Sequence, residues 1–121
     1  MFSTALPPSI PAATSAAIDI VRGSEGDDRR RTLARLARRF RELAPRAGGA
    51  PESAIAPIMV GDDREVMRLS AELLAAGAFV QGIRPPTVPA GTARLRVSLN
   101  AGHSSAQLEA AARLMSDAFV V

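Results

Sequence analysis

Three prolines, Pro85, Pro86 and Pro89, stand just ahead of a stretch in which Leu95, Val97 and Leu99 alternate with Arg94, Arg96 and Ser98. Proline fixes φ and removes a backbone donor, so the loop Arg84 to Gly91 can be neither helix interior nor central strand. The alternation beyond it has the period of a half-buried strand, which sets Arg94 and Arg96 on one face and Leu95 and Val97 on the other. Such a chain must build a sheet with one covered face, and the cover has to come from amphipathic helices elsewhere in the sequence.

The rest of the chain supplies them. Met1 to Pro8 reads as an extended entry, and Pro8 or Pro11 suits the first turn of a helix running to about Arg22. A short acidic linker is expected next. Asp27 or Asp28 can then cap a helix in which Leu33, Leu36, Ala37, Phe40, Leu43 and Ala44 recur at three- and four-residue spacing, up to Gly48-Gly49. Ala54 to Val60 reads as a strand whose Pro57 demands an edge position or a bulge. Asp62 with Glu65 has capping-box spacing for a helix carrying Val66, Leu69, Leu73 and Leu74 up to Gly77. Phe79 to Ile83 reads as a second strand. Ser104 with Gln107 opens a last helix that turns Leu108, Ala112, Met115 and Phe119 inward. The expected fold class is α+β, a small, mainly antiparallel sheet with helices packed on one face. Residues 1–23 are expected to form an entry segment and connecting helix, and 24–121 the small domain.

With 121 residues, 47% of them hydrophobic, one domain with a real core is expected. No apolar run approaches the roughly eighteen residues of a membrane-spanning helix, nor does the N-terminus resemble a secretory signal, so a cytoplasmic protein is expected. The absence of cysteine excludes a disulfide framework and a thiolate nucleophile, and a single histidine cannot assemble a metal cluster. All fifteen basic residues are arginine. Without lysine the chain can neither hold pyridoxal phosphate as a Schiff base nor use a lysine nucleophile.

Seven of the thirteen residues from Arg29 to Arg41 are arginine, a density that could face phosphates. No aromatic residue interleaves with them, and the apolar stripe has ordinary core spacing, which favours a solvated face of an amphipathic helix. His103, between Gly102 and the Ser104 cap, is expected to make local hydrogen bonds. Arg84 and Thr87 are held by the proline-rich loop, and Arg96 follows on the strand. A guanidinium there can fork two hydrogen bonds to a ligand carboxylate, or pair with a local acid; pattern alone leaves both open.

The run Ile83-Arg84-Pro85-Pro86-Thr87-Val88-Pro89-Ala90-Gly91-Thr92-Ala93-Arg94-Leu95-Arg96-Val97-Ser98-Leu99 resembles the C-terminal signature of the 8-amino-7-oxononanoate synthases, the alanine-using α-oxoamine synthases. Phe2-Ser3-Thr4-Ala5-Leu6-Pro7-Pro8 is similar to the segment just downstream of that family's Schiff-base lysine, and Ser24 to Arg31 and Pro57 to Asp63 match in between. The resemblance implies a fold-type-I pyridoxal-phosphate homodimer that condenses L-alanine with pimeloyl-acyl carrier protein or pimeloyl-CoA, releasing carbon dioxide, in biotin biosynthesis. It puts Arg96 where the family holds the amino-acid carboxylate, Arg84 on a second arginine handling it, and Thr87 on a substrate-binding threonine. Ser3 and Thr4 fall in a segment approaching the cofactor phosphate across the dimer interface.

The family's lysine, its aspartate for the pyridine nitrogen, its ring-stacking histidine and its glycine-rich loop would all precede Met1. The expectation is therefore a substrate-binding domain, inactive without an N-terminal lysine-bearing portion, and a fragment, a split-gene product and a relic all remain open. Two alternatives stand beside it. One is a stand-alone, non-catalytic module binding nucleic acid or an acidic partner through its arginine-rich helix; the other is an α-oxoamine synthase with a different amino acid or acyl donor.

Overall fold

In a computed structural model that describes residues 5–119, the elements run α1 (Ser9–Arg22), α2 (Ser24–Leu43), β1 (Ile55–Gly61), α3 (Asp63–Ala75), β2 (Gln81–Ile83), β3 (Ala93–Ser98) and α4 (Ser105–Ala118). This is the expected order and the expected α+β class. Contacts divide the chain within α2 into two units, Met1–Thr32 and Leu33–Val121.

In the first unit the acidic linker expected after Arg22 is absent. Only Gly23 separates α1 from α2, and Asp27 and Asp28 lie inside α2, paired three residues on with Arg30 and Arg31. Gly26 permits this junction: a Cβ there would come within 2.4 Å of the Val21 carbonyl oxygen, closer than any side chain tolerates. Arg30 donates to the same carbonyl at 2.9 Å, placing a cation at the negative end of α1. No residue of α1 is buried.

The second unit is the layered part. Its sheet has the order β1-β3-β2, antiparallel throughout the described residues. Pro57 falls on an edge strand, as its missing donor requires, and the β1 register shifts between Met59 and Gly61. One sheet face, with Ala56, Ile58, Ala93, Leu95 and Val97, is buried against Leu36 and Phe40 of α2, Val66, Leu69 and Leu73 of α3, and Leu108, Ala112 and Met115 of α4. The opposite face carries Pro57, Met59, Gln81, Ile83, Arg94 and Arg96, paired across the strands by register.

Two boundaries differ from the sequence reading. Helix α2 ends at Leu43, not at Gly48-Gly49, because Pro45 cannot donate to the helix and disfavours helical geometry at Ala44. Strand β2 begins at Gln81, not at Phe79. The end of α3 extends instead into a Schellman turn: Ala78 N donates to the Leu73 carbonyl at 2.8 Å and Gly77 N to that of Leu74 at 3.0 Å. Gly77 takes the left-handed conformation the motif needs, with φ at 90°. The chain therefore leaves the helix too late to pair Phe79, which stays 82% exposed.

Both later caps hold. The Asp62 carboxylate accepts from the backbone N–H groups of Arg64 and Glu65, while Ser104 and Gln107 form a full reciprocal capping box. Asp62 lacks the reciprocal half, since the Glu65 carboxylate pairs with Arg68.

Candidate functional site

Of the sequence-predicted site residues, the open sheet face carries Arg96, while Arg84 and Thr87 belong to the loop that follows β2. Arg96 sits mid-strand on β3 with Pro57 opposite it on β1 and Gln81 opposite it on β2. Its guanidinium is exposed and donates from Nη2 to the Gln81 amide oxygen at 2.5 Å. Arg94, one pleat back, is half-buried and turned toward the start of the strand, its Nε donating to the Thr92 carbonyl at 3.0 Å. The residues that register places on this face include no aspartate or glutamate.

The local ion pair that could have occupied Arg96 is therefore not made: among the described residues, neither Arg84 nor Arg96 has a carboxylate within 4.0 Å. Arg84 follows directly on β2, and the loop turns back at once, with Thr87 N donating to the Arg84 carbonyl at 3.1 Å. The Pro85-Pro86 peptide is cis. Thr92 closes the loop, its hydroxyl donating to the Pro89 carbonyl at 2.7 Å. The Thr87 side chain is exposed and makes no hydrogen bond with the described residues. Ser3 and Thr4 lie outside the described residues. A cleft of about 550 Å³ opens in the second unit where β3 runs past the short β2, with Phe79, Gln81, Arg96, His103, Gln107 and Leu114 among its lining.

The other candidates resolve into local structure. His103 packs into a turn with Asn100, its Nε2 lying 3.1 Å from the Asn100 amide nitrogen, the local hydrogen bonding expected of it. In the arginine-rich stretch, Arg29, Arg30, Arg31, Arg38 and Arg39 each pair with an acid. Arg41 does something periodicity could not foretell. Its guanidinium donates to five backbone carbonyls, those of Ala37, Gly48, Pro51, Ser53 and Ile55, at 3.0–3.2 Å, and so organises the connection into β1. Burial lowers its pKa from the ordinary arginine value. The five acid-paired arginines of the stretch weaken the field it could offer a polyanion. Among the described residues no group of His, Asp and Glu could hold a metal ion, and no helix is long and apolar enough to cross a membrane.

Sequence reasoning missed Gln81. A polar residue in a short strand is unremarkable until the register shows that it opposes Arg96; the one available signal was that residue 81 shares parity with Ile83 in the strand read from 79 to 83.

A three-stranded antiparallel sheet covered on one side by helices matches the architecture of the C-terminal portion of fold-type-I pyridoxal-phosphate enzymes. The solved structures agree: a serine palmitoyltransferase (SPT) with its PLP internal aldimine superposes with a TM-score of 0.87 at 29% identity, over 98% of this chain and 30% of that one. The 8-amino-7-oxononanoate synthase of Francisella tularensis shares the fold at a TM-score of 0.69 and 23% identity, over 97% of this chain and 34% of that one. By sequence the chain is homologous to a C-terminal portion of the 8-amino-7-oxononanoate synthases. It is 46% identical to that of Pseudescherichia vulneris over 112 residues, 90% of this chain and 29% of the relative. It is 47% identical to that of Geobacter sulfurreducens over 119 residues, 96% of this chain and 30% of the relative. The chain thus spans less than a third of the curated relatives it matches. No family model matches it.

Proposed function

We propose that this chain is the substrate-gripping domain of a pyridoxal-phosphate-dependent acyltransferase of the 8-amino-7-oxononanoate synthase kind, with Arg96 as the anchor for the carboxylate of L-alanine. The observation that carries the reading is the chemical state of Arg96. An exposed guanidinium, held in mid-strand by a neutral amide on a face without acids, keeps a full positive charge and free N–H groups for a planar, bidentate partner. Arg84, without an acid of its own, and the Thr87 hydroxyl would add contacts from the rigid loop.

Pyridoxal phosphate, when bound, supplies the electron sink for decarboxylative condensation of alanine with a pimeloyl thioester on acyl carrier protein or CoA, a step of biotin synthesis. This chain fits only a supporting place around that cofactor, because it contains no lysine to hold it covalently. Ser3 and Thr4 are proposed to meet its phosphate across the interface of a cytoplasmic homodimer. The chain by itself is inactive on this reading, and the lysine-bearing portion must come from the rest of the enzyme.

The test is Arg96→Ala in a complete enzyme carrying this domain. Each hydrogen bond to the charged group is worth roughly 1.5 to 3 kcal/mol and about 1.4 kcal/mol is tenfold, so kcat/KM for alanine should fall at least about tenfold. Arg96→Lys should recover only part, and cofactor absorbance should persist in both variants. An Arg96→Ala enzyme that loses stability but keeps the affinity for alanine would overturn the assignment.

A further inference from the structure

We infer that Gln81 is the positioning residue for Arg96: its amide oxygen fixes the direction of the guanidinium while leaving the charge uncancelled. The inference rests on the reading of Arg96 as a carboxylate anchor and adds a component that reading does not contain. Three observations converge on it.

The first is register. Gln81 and Arg96 are directly opposed across β2 and β3, so their side chains rise from the same face within reach of each other. On the other side the opposed residue is Pro57, whose side chain offers no acceptor. The second is charge. Arg94, two residues back on the same face, repels Arg96, and the tie from its Nε to the Thr92 carbonyl draws it toward the strand's start. Arg96 is thus directed away from its neighbour and toward Gln81, where Nη2 meets Oε1 at 2.5 Å. The third is the chemistry of the acceptor. A glutamate here would accept the same hydrogen bond but would neutralise the guanidinium and compete with an incoming carboxylate. An amide accepts one of the five N–H groups and leaves the rest with full charge. The arginine side chain is long, and ordering it on binding costs affinity; a side chain already ordered binds more tightly.

The experiment has two arms. In the first, the isolated chain is studied by nitrogen-15 NMR of the arginine side chains. Restricted rotation of the Arg96 guanidinium is expected in the wild type and in Gln81→Glu, and free rotation in Gln81→Leu. In the second, the complete enzyme carrying each variant is assayed. Gln81→Leu should raise KM for alanine about threefold to tenfold, the effect of ordering one long side chain, with kcat nearly unchanged. Gln81→Glu should raise KM further, and added salt should relieve part of that rise, a response that loss of packing would not show. Because Gln81 is exposed, the variants should keep the wild-type circular dichroism and thermal midpoint, which guards against misfolding as the cause. Unchanged Arg96 rotation in Gln81→Leu, or an unchanged KM in both variants while Arg96→Ala still impairs alanine use, overturns the inference. If Gln81→Leu frees Arg96 but Arg96→Ala leaves alanine use intact, the positioning stands and the carboxylate reading falls.

Discussion

The Ser70 hydroxyl donates to the Val80 carbonyl at 2.6 Å, joining the middle of α3 to the residue that precedes β2. Val80 is buried, and its carbonyl finds its partner on the helix, so the β ladder starts at Gln81. Ser70→Ala should cost about 1 kcal/mol, the usual net value of such a bond, as a lowered urea midpoint with an unchanged slope. The side chain of Gln81 should become more mobile in the same variant. A Ser70→Ala protein as stable as the wild type would show that the bond contributes nothing.

Arg41 donates to carbonyls at five separate positions, from Ala37 to Ile55. Arg41→Leu leaves all five without that donor, and the loss should exceed about 2 kcal/mol even after discounting for partial exposure and non-additivity. Arg41→Lys should regain only a minor part, because three N–H groups on one nitrogen cannot span so broad a set of acceptors. Hydrogen exchange over residues 48–55 is the direct readout, and protection retained in Arg41→Leu would refute the role.

The Glu65 carboxylate lies between the cap of α3 and Arg68, whose hydrogen bonds hold its pKa below the ordinary value of 4.5. A depressed folded pKa means that the unfolded chain takes up the proton first on acidification. The stabilisation is therefore complete above 4.5 and is lost as pH falls through the lower, folded value. Asp27, lowered by Arg30, acts in the same direction. Thermal midpoints from pH 6 to pH 2 should drop less steeply for Glu65→Gln than for the wild type, and molar salt should shrink the difference. Equal slopes would exclude a Glu65 contribution.

Ile10, Ala13, Ala17 and Val21 recur along one side of α1, flanked by Ile18 and Ile20, and none of the helix is buried. Ile10, Ile18, Ile20 and Val21 are each 41–58% exposed. Contiguous apolar surface of this sort drives association. The chain expressed alone should self-associate, and Ile10→Glu with Val21→Glu should shift it toward monomer. Light scattering that finds a clean wild-type monomer at high concentration would count against a helix made to be covered.

With no lysine in the sequence, borohydride treatment of the chain mixed with pyridoxal phosphate should fix no adduct on any side chain. Peptide mass mapping decides it; an adduct anywhere but the N-terminal amine would contradict the expectation.

By itself the sequence determined whatever depends on near neighbours. The caps at Asp62 and Ser104, the stripe of Leu36, Ala37 and Phe40, and the inward alternation of Leu95 and Val97 are consequences of helical or strand periodicity and of donors within three residues. The alternation also set Arg94 and Arg96 on the open face before any partner strand was known. Tertiary structure decided what depends on residues distant in the chain. The pairing of Gln81 with Arg96, the five carbonyls around Arg41 and the tie from Ser70 to Val80 bridge separations that no local pattern encodes. The late start of β2 belongs with them: Phe79 and Val80 have strand-forming side chains, but the turn through Gly77 and Ala78 prolongs the end of α3 and the Ser70 hydroxyl takes the Val80 carbonyl. Local propensity yields when those groups find partners elsewhere, and only the folded chain shows where they went.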